Sequence, residues 1–458
     1  MSEEIQASPL KRREIIDALR MGAVPRRGLE LFAVGLERFE RAIDEELDAA
    51  AAGRGKLKAV RGEYGTGKTF FARWLEHRAR KRGFATALVQ ISETETPLHR
   101  METIYRRAVE SLQTEEWSQG AFRSLIDKWF YQLEDEVLGS GQVDATDPAA
   151  VAAAVGDLLE QRLATVSATQ PQFAAALRAA HTARVTGDHA VAEGLVAWLM
   201  GQPNVGAEIK RAAKLKGELD HFGAGGFFRG LLEVLKQTGR KGLVLVLDEV
   251  ETIQRVRADS REKSLNALRQ LIDDLSSGHY PGLYVLVTGT PQFFDGPQGV
   301  RRLEPLHQRL HTEFAKDPQF DSSRAVQIRL QPFSLERLVQ VGRRVRAIYP
   351  SEFEARITEK VGDAVLTGLA ERVAGKLGGK VGVAPRIYLK RLVGLLDQVD
   401  EHPTFDPVQH HELVVDAAEL TLEERAAAGM AASVDDIPLD LGHEGEGHED
   451  GERGDGLG

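Results

Sequence analysis

Apolar positions along this chain follow two patterns, one helical and one extended. Phe39, Ile43 and Leu47 recur every fourth residue, which lays an apolar stripe along one face of a helix predicted over 37–52. A shorter helix is predicted over 8–21, and the turn-forming Val24-Pro25-Arg26-Arg27-Gly28 separates the two. Strands are predicted at 56–61, 84–92, 243–247, 283–288 and 325–330. Where these runs are continuous Val, Leu and Ile rather than alternating with polar residues, they predict a parallel sheet covered on both faces.

Between the second and third strands no further strand is evident. Helical windows fall instead at 101–113, 122–137, 149–164, 173–183, 190–200 and 207–219, with Ala and Leu dominating 149–180. The α/β pattern then resumes with helices at 226–238 and 261–276, the latter carrying Leu265, Leu268, Ile272 and Leu275 on one face. Residues 336–432 return to helices. The last segment, 433–458, holds nine acids, seven glycines and one arginine, a composition that predicts disorder because it offers too little apolar surface to offset ordering. The expected organisation is a helical entry segment over 1–55, an α/β core from 56–97 and 222–335, a helical insertion over 98–221, a helical lid over 336–432, and the acidic tail.

Composition adds three limits. Over 458 residues, 42% are hydrophobic and 28% charged, the ordinary range of a globular protein. The formal charge of -10 arises mostly from the tail, so the body is close to neutral and does not coat nucleic acid by bulk charge. There is no cysteine, which excludes disulfides, thiol nucleophiles and thiolate metal sites. The first residues lack an apolar leader and no run approaches the ~18–20 apolar residues of a membrane span, so a cytoplasmic, unprocessed protein is expected.

The candidate chemistry begins at Gly62-Glu63-Tyr64-Gly65-Thr66-Gly67-Lys68-Thr69, which fits the phosphate-loop pattern G-x-x-x-x-G-K-[ST] between a predicted strand and a predicted helix. Glycines let backbone N–H groups turn toward a phosphate, Lys68 would bridge the β- and γ-phosphates, and Thr69 would hold Mg²⁺. The apolar strand at 243–247 runs into Asp248 and Glu249, where Asp248 is assigned to the metal and Glu249 to an attacking water. The strand at 283–288 ends in Thr288-Gly289-Thr290-Pro291, so Thr290 or Thr288 is a candidate to sense the γ-phosphate; a strand-end turn closed by these hydroxyls is the plainer alternative. Arg309, with Arg301 and Arg302 as competitors, and Arg386 are candidates to neutralise phosphoryl charge, against the plain reading of surface ion pairs. His307 and His311 stand four apart but lack a third ligand, so a solvated helix face is preferred to zinc. The four tryptophans are read as core, and the basic runs at 78–82 and 343–346 as solvated helix faces rather than nucleic-acid contacts.

The order of phosphate loop, second strand, paired acids, sensor strand, final strand and helical lid resembles the AAA+ superfamily, in its origin-recognition and signalling branches. Closer detail lies in Gly22-Ala23-Val24-Pro25, Arg61 through the phosphate loop to Phe70, Pro97-Leu98, Trp198-Leu199, Thr288-Gly289-Thr290-Pro291 and Leu330-Gln331-Pro332-Phe333. Together, over about residues 15–400, these resemble the BREX phage-defence ATP-binding proteins of the BrxD-like kind. The resemblance implies ATP and Mg²⁺ as ligands along Gly62 to Phe70, with Val34 and Gly35 on the adenine side. It also implies Arg309 as a finger reaching a neighbouring subunit and Arg386 as a sensor for its own nucleotide. A defence-system helicase or another protein, nucleic acid, or an ATP-dependent homo-oligomer are the partners it suggests, with no membrane. Three function classes stay open: an ATPase that couples nucleotide state to a partner, a switch or helicase-loader-like scaffold with little turnover, and a small-molecule kinase, which the acid pair and long insertion disfavour.

Overall fold

A computed structural model of the chain describes residues 8–376 and 384–410. The acidic tail and the end of the predicted lid lie outside the described residues, and with them the expectation of disorder over 433–458. In chain order the elements are α1 (Pro9–Arg20), α2 (Glu37–Ala51), β1 (Lys56–Arg61), α3 (Lys68–Lys81), β2 (Ala85–Gln90), α4 (Met101–Glu110), α5 (Ala121–Gly139), α6 (Pro148–Thr169), α7 (Pro171–Val185), α8 (His189–Leu199), α9 (Ala207–Ala212) and α10 (His221–Gln237). They continue with β3 (Leu243–Asp248), α11 (Ala258–Ser276), β4 (Leu283–Gly289), α12 (Pro291–Asp295), α13 (Glu304–Leu310), β5 (Gln327–Arg329), α14 (Leu335–Ile348), α15 (Glu354–Lys360), α16 (Asp363–Lys376), α17 (Ala384–Glu401) and α18 (Pro407–His410).

Among the described residues the strands form one parallel sheet in the order β2-β3-β4-β1-β5. Every residue of β3 and β4 is buried, which is why their sequences run apolar up to Asp248 and Thr288 at the C-terminal ends. Alternate side chains serve opposite faces. Val89, Leu245 and Val285 join one core with α4, α10, α11 and the helices of the long insertion, while Val60, Val246 and Leu286 join a second with α1 to α3 and α14 to α17. The insertion is thus continuous with the packing on one face of the sheet. Tyr105 marks the junction: its hydroxyl donates to the Leu199 carbonyl at 2.8 Å and its ring meets Phe227 and Phe228 edge-on. Trp74, Trp129 and Trp198 are buried and Trp117 partly so, in keeping with core roles. The helix predicted over 207–219 is only Ala207–Ala212, because Lys214 turns left-handed (φ 53°) and Gly217 follows at φ 70°.

The N-terminal helices close against the C-terminal ones. Arg20 of α1 makes two bonds to Asp397 of α17, at 2.8 and 2.9 Å, and the Tyr349 hydroxyl donates to the same carboxylate at 2.7 Å. The basic runs are largely consumed within the chain. Arg78 bonds Asp44 at 2.7 and 2.8 Å, Arg343 pairs with Asp363 at 2.9 Å, and Arg346 donates to the Val361 carbonyl at 2.7 Å. No helix among the described residues is long and apolar enough to cross a membrane.

One buried cation sits in the middle of this frame. Lys58 of β1 has a fully buried side chain, with Nζ 2.6 Å from Glu46 Oε1 and donating to the carbonyls of Ala325 at 2.6 Å and Ser323 at 3.1 Å. Tyr284 of β4 donates to the other Glu46 oxygen at 2.7 Å, so one carboxylate ties α2 to two strands. Removing a partner from a buried pair leaves an uncompensated charge. Glu46→Ala is expected to lower unfolding free energy by about 3 kcal/mol in denaturant titration, near the bottom of the usual range because Lys58 keeps two carbonyl acceptors.

Candidate functional site

Parallel strands end at one edge of a sheet, so the residues at their C-terminal ends become neighbours. Here the register pairs Gln90 with Asp248 and Val60 with Thr288, bringing the end of β1 beside those of β2, β3 and β4. The phosphate loop leaves β1 at this edge. Gly62 is required there, since a Cβ would stand 2.3 Å from Thr66 Oγ1, which donates to the Glu63 carbonyl at 2.8 Å. Gly67, left-handed at φ 91°, caps α3 without a side-chain bond and leaves the first N–H groups of that helix directed into the loop.

Lys68 Nζ donates to the Gly62 carbonyl at 2.9 Å and the Glu63 carbonyl at 3.4 Å, and lies 4.9 Å above the Tyr64 ring centre. Thr69 Oγ1 donates to Asp248 Oδ2 at 3.0 Å. The other Asp248 oxygen accepts from the Thr288 hydroxyl, which in turn accepts the Glu249 N–H at 3.1 Å. Glu249 itself is left-handed (φ 59°, ψ 42°), a conformation that costs a side-chain-bearing residue about 1 kcal/mol and concentrates at functional sites. Its carboxylate accepts from Gln90 Nε2 at 2.9 Å. Thr69 and Asp248 together present hard oxygen donors of the kind Mg²⁺ takes while keeping waters and phosphate oxygens as its other ligands, so these residues fit that ion. Among the described residues no denser group of His, Asp or Glu could hold a metal.

A cavity of about 460 Å³ opens over this edge. Gly65 to Phe70, Glu249 and Glu251 form its polar floor, Val24, Val34 and Gly35 its N-terminal wall, and Leu338, Arg386 and Leu389 its C-terminal wall. Val34, Gly35 and Arg386 therefore face the same space as Lys68, and Gly62 and Glu63 lie beneath it as carbonyl partners of Lys68. Of the stretches that carried the family resemblance, those at 22–25, 62–70 and 330–333 meet around this cavity, whereas Leu98, Trp198 and Leu199 are core.

Two candidates are placed elsewhere. Thr290 caps α12, accepting the Phe293 N–H at 3.3 Å, and Thr288 is the hydroxyl bonded to Asp248; neither lines the cavity. Arg309 also stays outside, bonded through Nε to Asp273 of α11. Arg301, His307 and His311 line a separate cavity of about 330 Å³ beside Arg61 and Phe314. Residues not anticipated as site groups are Gln90, Glu251, Arg255 and Arg337. Gln90 carries no local sequence signal, since only the pairing of β2 with β3 sets it opposite Asp248. Glu251 sits 5% exposed, with burial first and then Glu249 and Asp248 pushing its carboxyl up to about 7 while Lys68 pulls it down.

The sheet order, the phosphate loop after β1 and the acids after β3 define an AAA+-like P-loop protein: α/β, with a parallel core sheet, a helical insertion after β2 and C-terminal helices. The family model for the BREX system ATP-binding protein BrxC/D matches residues 7–414, and the chain belongs to that family. No curated protein matches its sequence. Among solved structures, that of Drosophila ORC bound to DNA is similar at 13% identity and a TM-score of 0.35, covering 88% of this chain and 63% of that one.

Proposed function

We propose that the chain is a Mg²⁺-dependent ATPase that couples nucleotide state to a partner protein or nucleic acid within the defence system. The observation that carries this reading is the single bonded cluster of Thr69, Asp248, Thr288, Glu249 and Gln90 beside Lys68. Lys68 is assigned to the β- and γ-phosphate oxygens, Thr69 and Asp248 to the metal, and Glu249 to the attacking water, whose proton its carboxylate accepts. Bound Mg²⁺ would supply charge neutralisation on the phosphates. Val34 and Gly35 are assigned to the base side, and Arg386 to reading the bound nucleotide from α17. Thr288 is assigned the sensing position ahead of Thr290, since its hydroxyl donates to the Asp248 carboxylate and accepts the Glu249 N–H. The division into core, insertion and lid stated from the sequence, and a cytoplasmic site of action, belong to the same proposal.

The switch reading keeps one supporting observation: Gln90 holds Glu249 at 2.9 Å, a restraint on the group assigned to water. Turnover separates the two. Lys68→Ala is expected to weaken ATP binding at least ~10²-fold while leaving the melting transition in place, because the ammonium supplies the loop's point charge; equal affinity by calorimetry rejects the phosphate-loop assignment. Glu249→Gln is expected to bind Mg-ATP as the wild type does and hydrolyse it ~10²-fold more slowly, since an amide keeps the shape but accepts no proton. Wild-type turnover in that variant removes Glu249 from catalysis, and a wild type that never turns over favours the switch.

Arg309 is assigned to a neighbouring subunit's γ-phosphate, consistent with its position outside its own cavity and with a bond to Asp273 that leaves the side chain about one-third exposed. Arg309→Ala alone is then expected to bind ATP without hydrolysing it. Mixed with Glu249→Gln, it should recover part of the activity, as each subunit supplies the half-site the other lacks. A mixture that stays inactive, with a monomeric mass by light scattering under Mg-ATP, returns Arg309 to a surface ion pair.

A further inference from the structure

Glu251 has no part in the cluster above, yet it is aimed at the same lysine. It lies in the short 3-10 turn Val250–Gln254 directly after the paired acids, lines the ATP cavity, and has both carboxylate oxygens buried without a hydrogen-bond partner. Among the described residues its charged neighbour at ion-pair range is Lys68, with Nζ 3.7 Å from Oε1. Buried carboxylates normally collect donors, so one held beside a cation but without hydrogen bonds has a different task from fixing the fold. Phosphate oxygens and a carboxylate carry the same charge and compete for the same ammonium.

We propose that Glu251 is a resident counter-ion of Lys68 that sets nucleotide affinity, holding the ammonium in the loop when phosphates leave and opposing them when they return. This deepens the ATP reading and rests on the assignment of Lys68 to the phosphates. It makes release of tightly held nucleotide faster at the expense of affinity.

The charge on Glu251 supplies a signature that a merely structural residue would lack. Lys68 from α3 and Asp248 and Glu249 from the end of β3 are the charged groups acting on it, and burial places its carboxyl near 7. Phosphates arriving beside it raise that value further, so binding takes up a proton and affinity falls as pH rises through about 7. Glu251→Gln is uncharged throughout. It is expected to bind a non-hydrolysable Mg-ATP analogue ~10-fold more tightly than wild type near pH ~8, with the gap closing toward pH ~6. The ligand's own titration is common to both proteins and cancels in the comparison. Glu251→Ala, checked for an intact melting transition, should behave the same way and serves if the glutamine variant does not fold. A folded variant whose affinity matches or falls below wild type near pH ~8 overturns the inference. Equal binding by wild type and Lys68→Ala shows instead that the phosphate-loop assignment failed, and the counter-ion role fails with it.

Discussion

The structure depends on five strands running in one direction. A parallel sheet cannot be closed by tight hairpins, so each return of the chain must cross a face of the sheet, and here those returns are helices that bury both faces. The same constraint puts every strand's C-terminal end at one edge. Phosphate loop, acids, Thr288 and Gln90 converge there because the register leaves them nowhere else to be.

Two buried lysines show how the frame and the site use charge differently. Lys58 has a carboxylate at 2.6 Å and two carbonyl acceptors, and its position in the middle of β1 makes it a tie between layers. Lys68 has carbonyls at 2.9 and 3.4 Å and a carboxylate at 3.7 Å, a looser set that a phosphate could displace. Satisfied pairs hold a conformation; partly satisfied ones keep a cation available for exchange.

Much of this was legible in the sequence because the strongest signals were local. The strand at 56–61, the phosphate loop and the helix after it follow from apolar runs and glycine positions, and the structure has β1 at Lys56–Arg61 and α3 at Lys68–Lys81. What escaped was set by tertiary neighbours. Gln90 looks like any polar strand end until β2 is paired with β3, and Glu251 looks like a surface acid until the 3-10 turn carries it back under the loop. Spacing does not tell Thr288 from Thr290, whereas in the fold strand pairing aims the Thr288 hydroxyl at Asp248 and the start of α12 takes that of Thr290. The sharing of one apolar core between the insertion and the sheet was likewise hidden, since the Ala-rich helices show no sequence mark of what they pack against.

The cavity walls add a consequence for how occupancy is felt. Gly22 to Pro25 line one side directly after α1, and Pro385, Arg386 and Leu389 line the other at the start of α17. Those helices are already joined, α1 packing on α17 with Arg20 on Asp397, and Gly22 lies close under Arg386, where an added Cβ would be 3.5 Å from its Nη1. A nucleotide in this space would touch two distant parts of the sequence that pack against each other, with its phosphates toward the sheet edge. Any change at the phosphate end that shifts the ligand must be accommodated either by the rigid sheet or by that helical unit. The helices of that unit share one apolar core with β1, β3 and β4, so both ends of the cavity are backed by the same packed side chains.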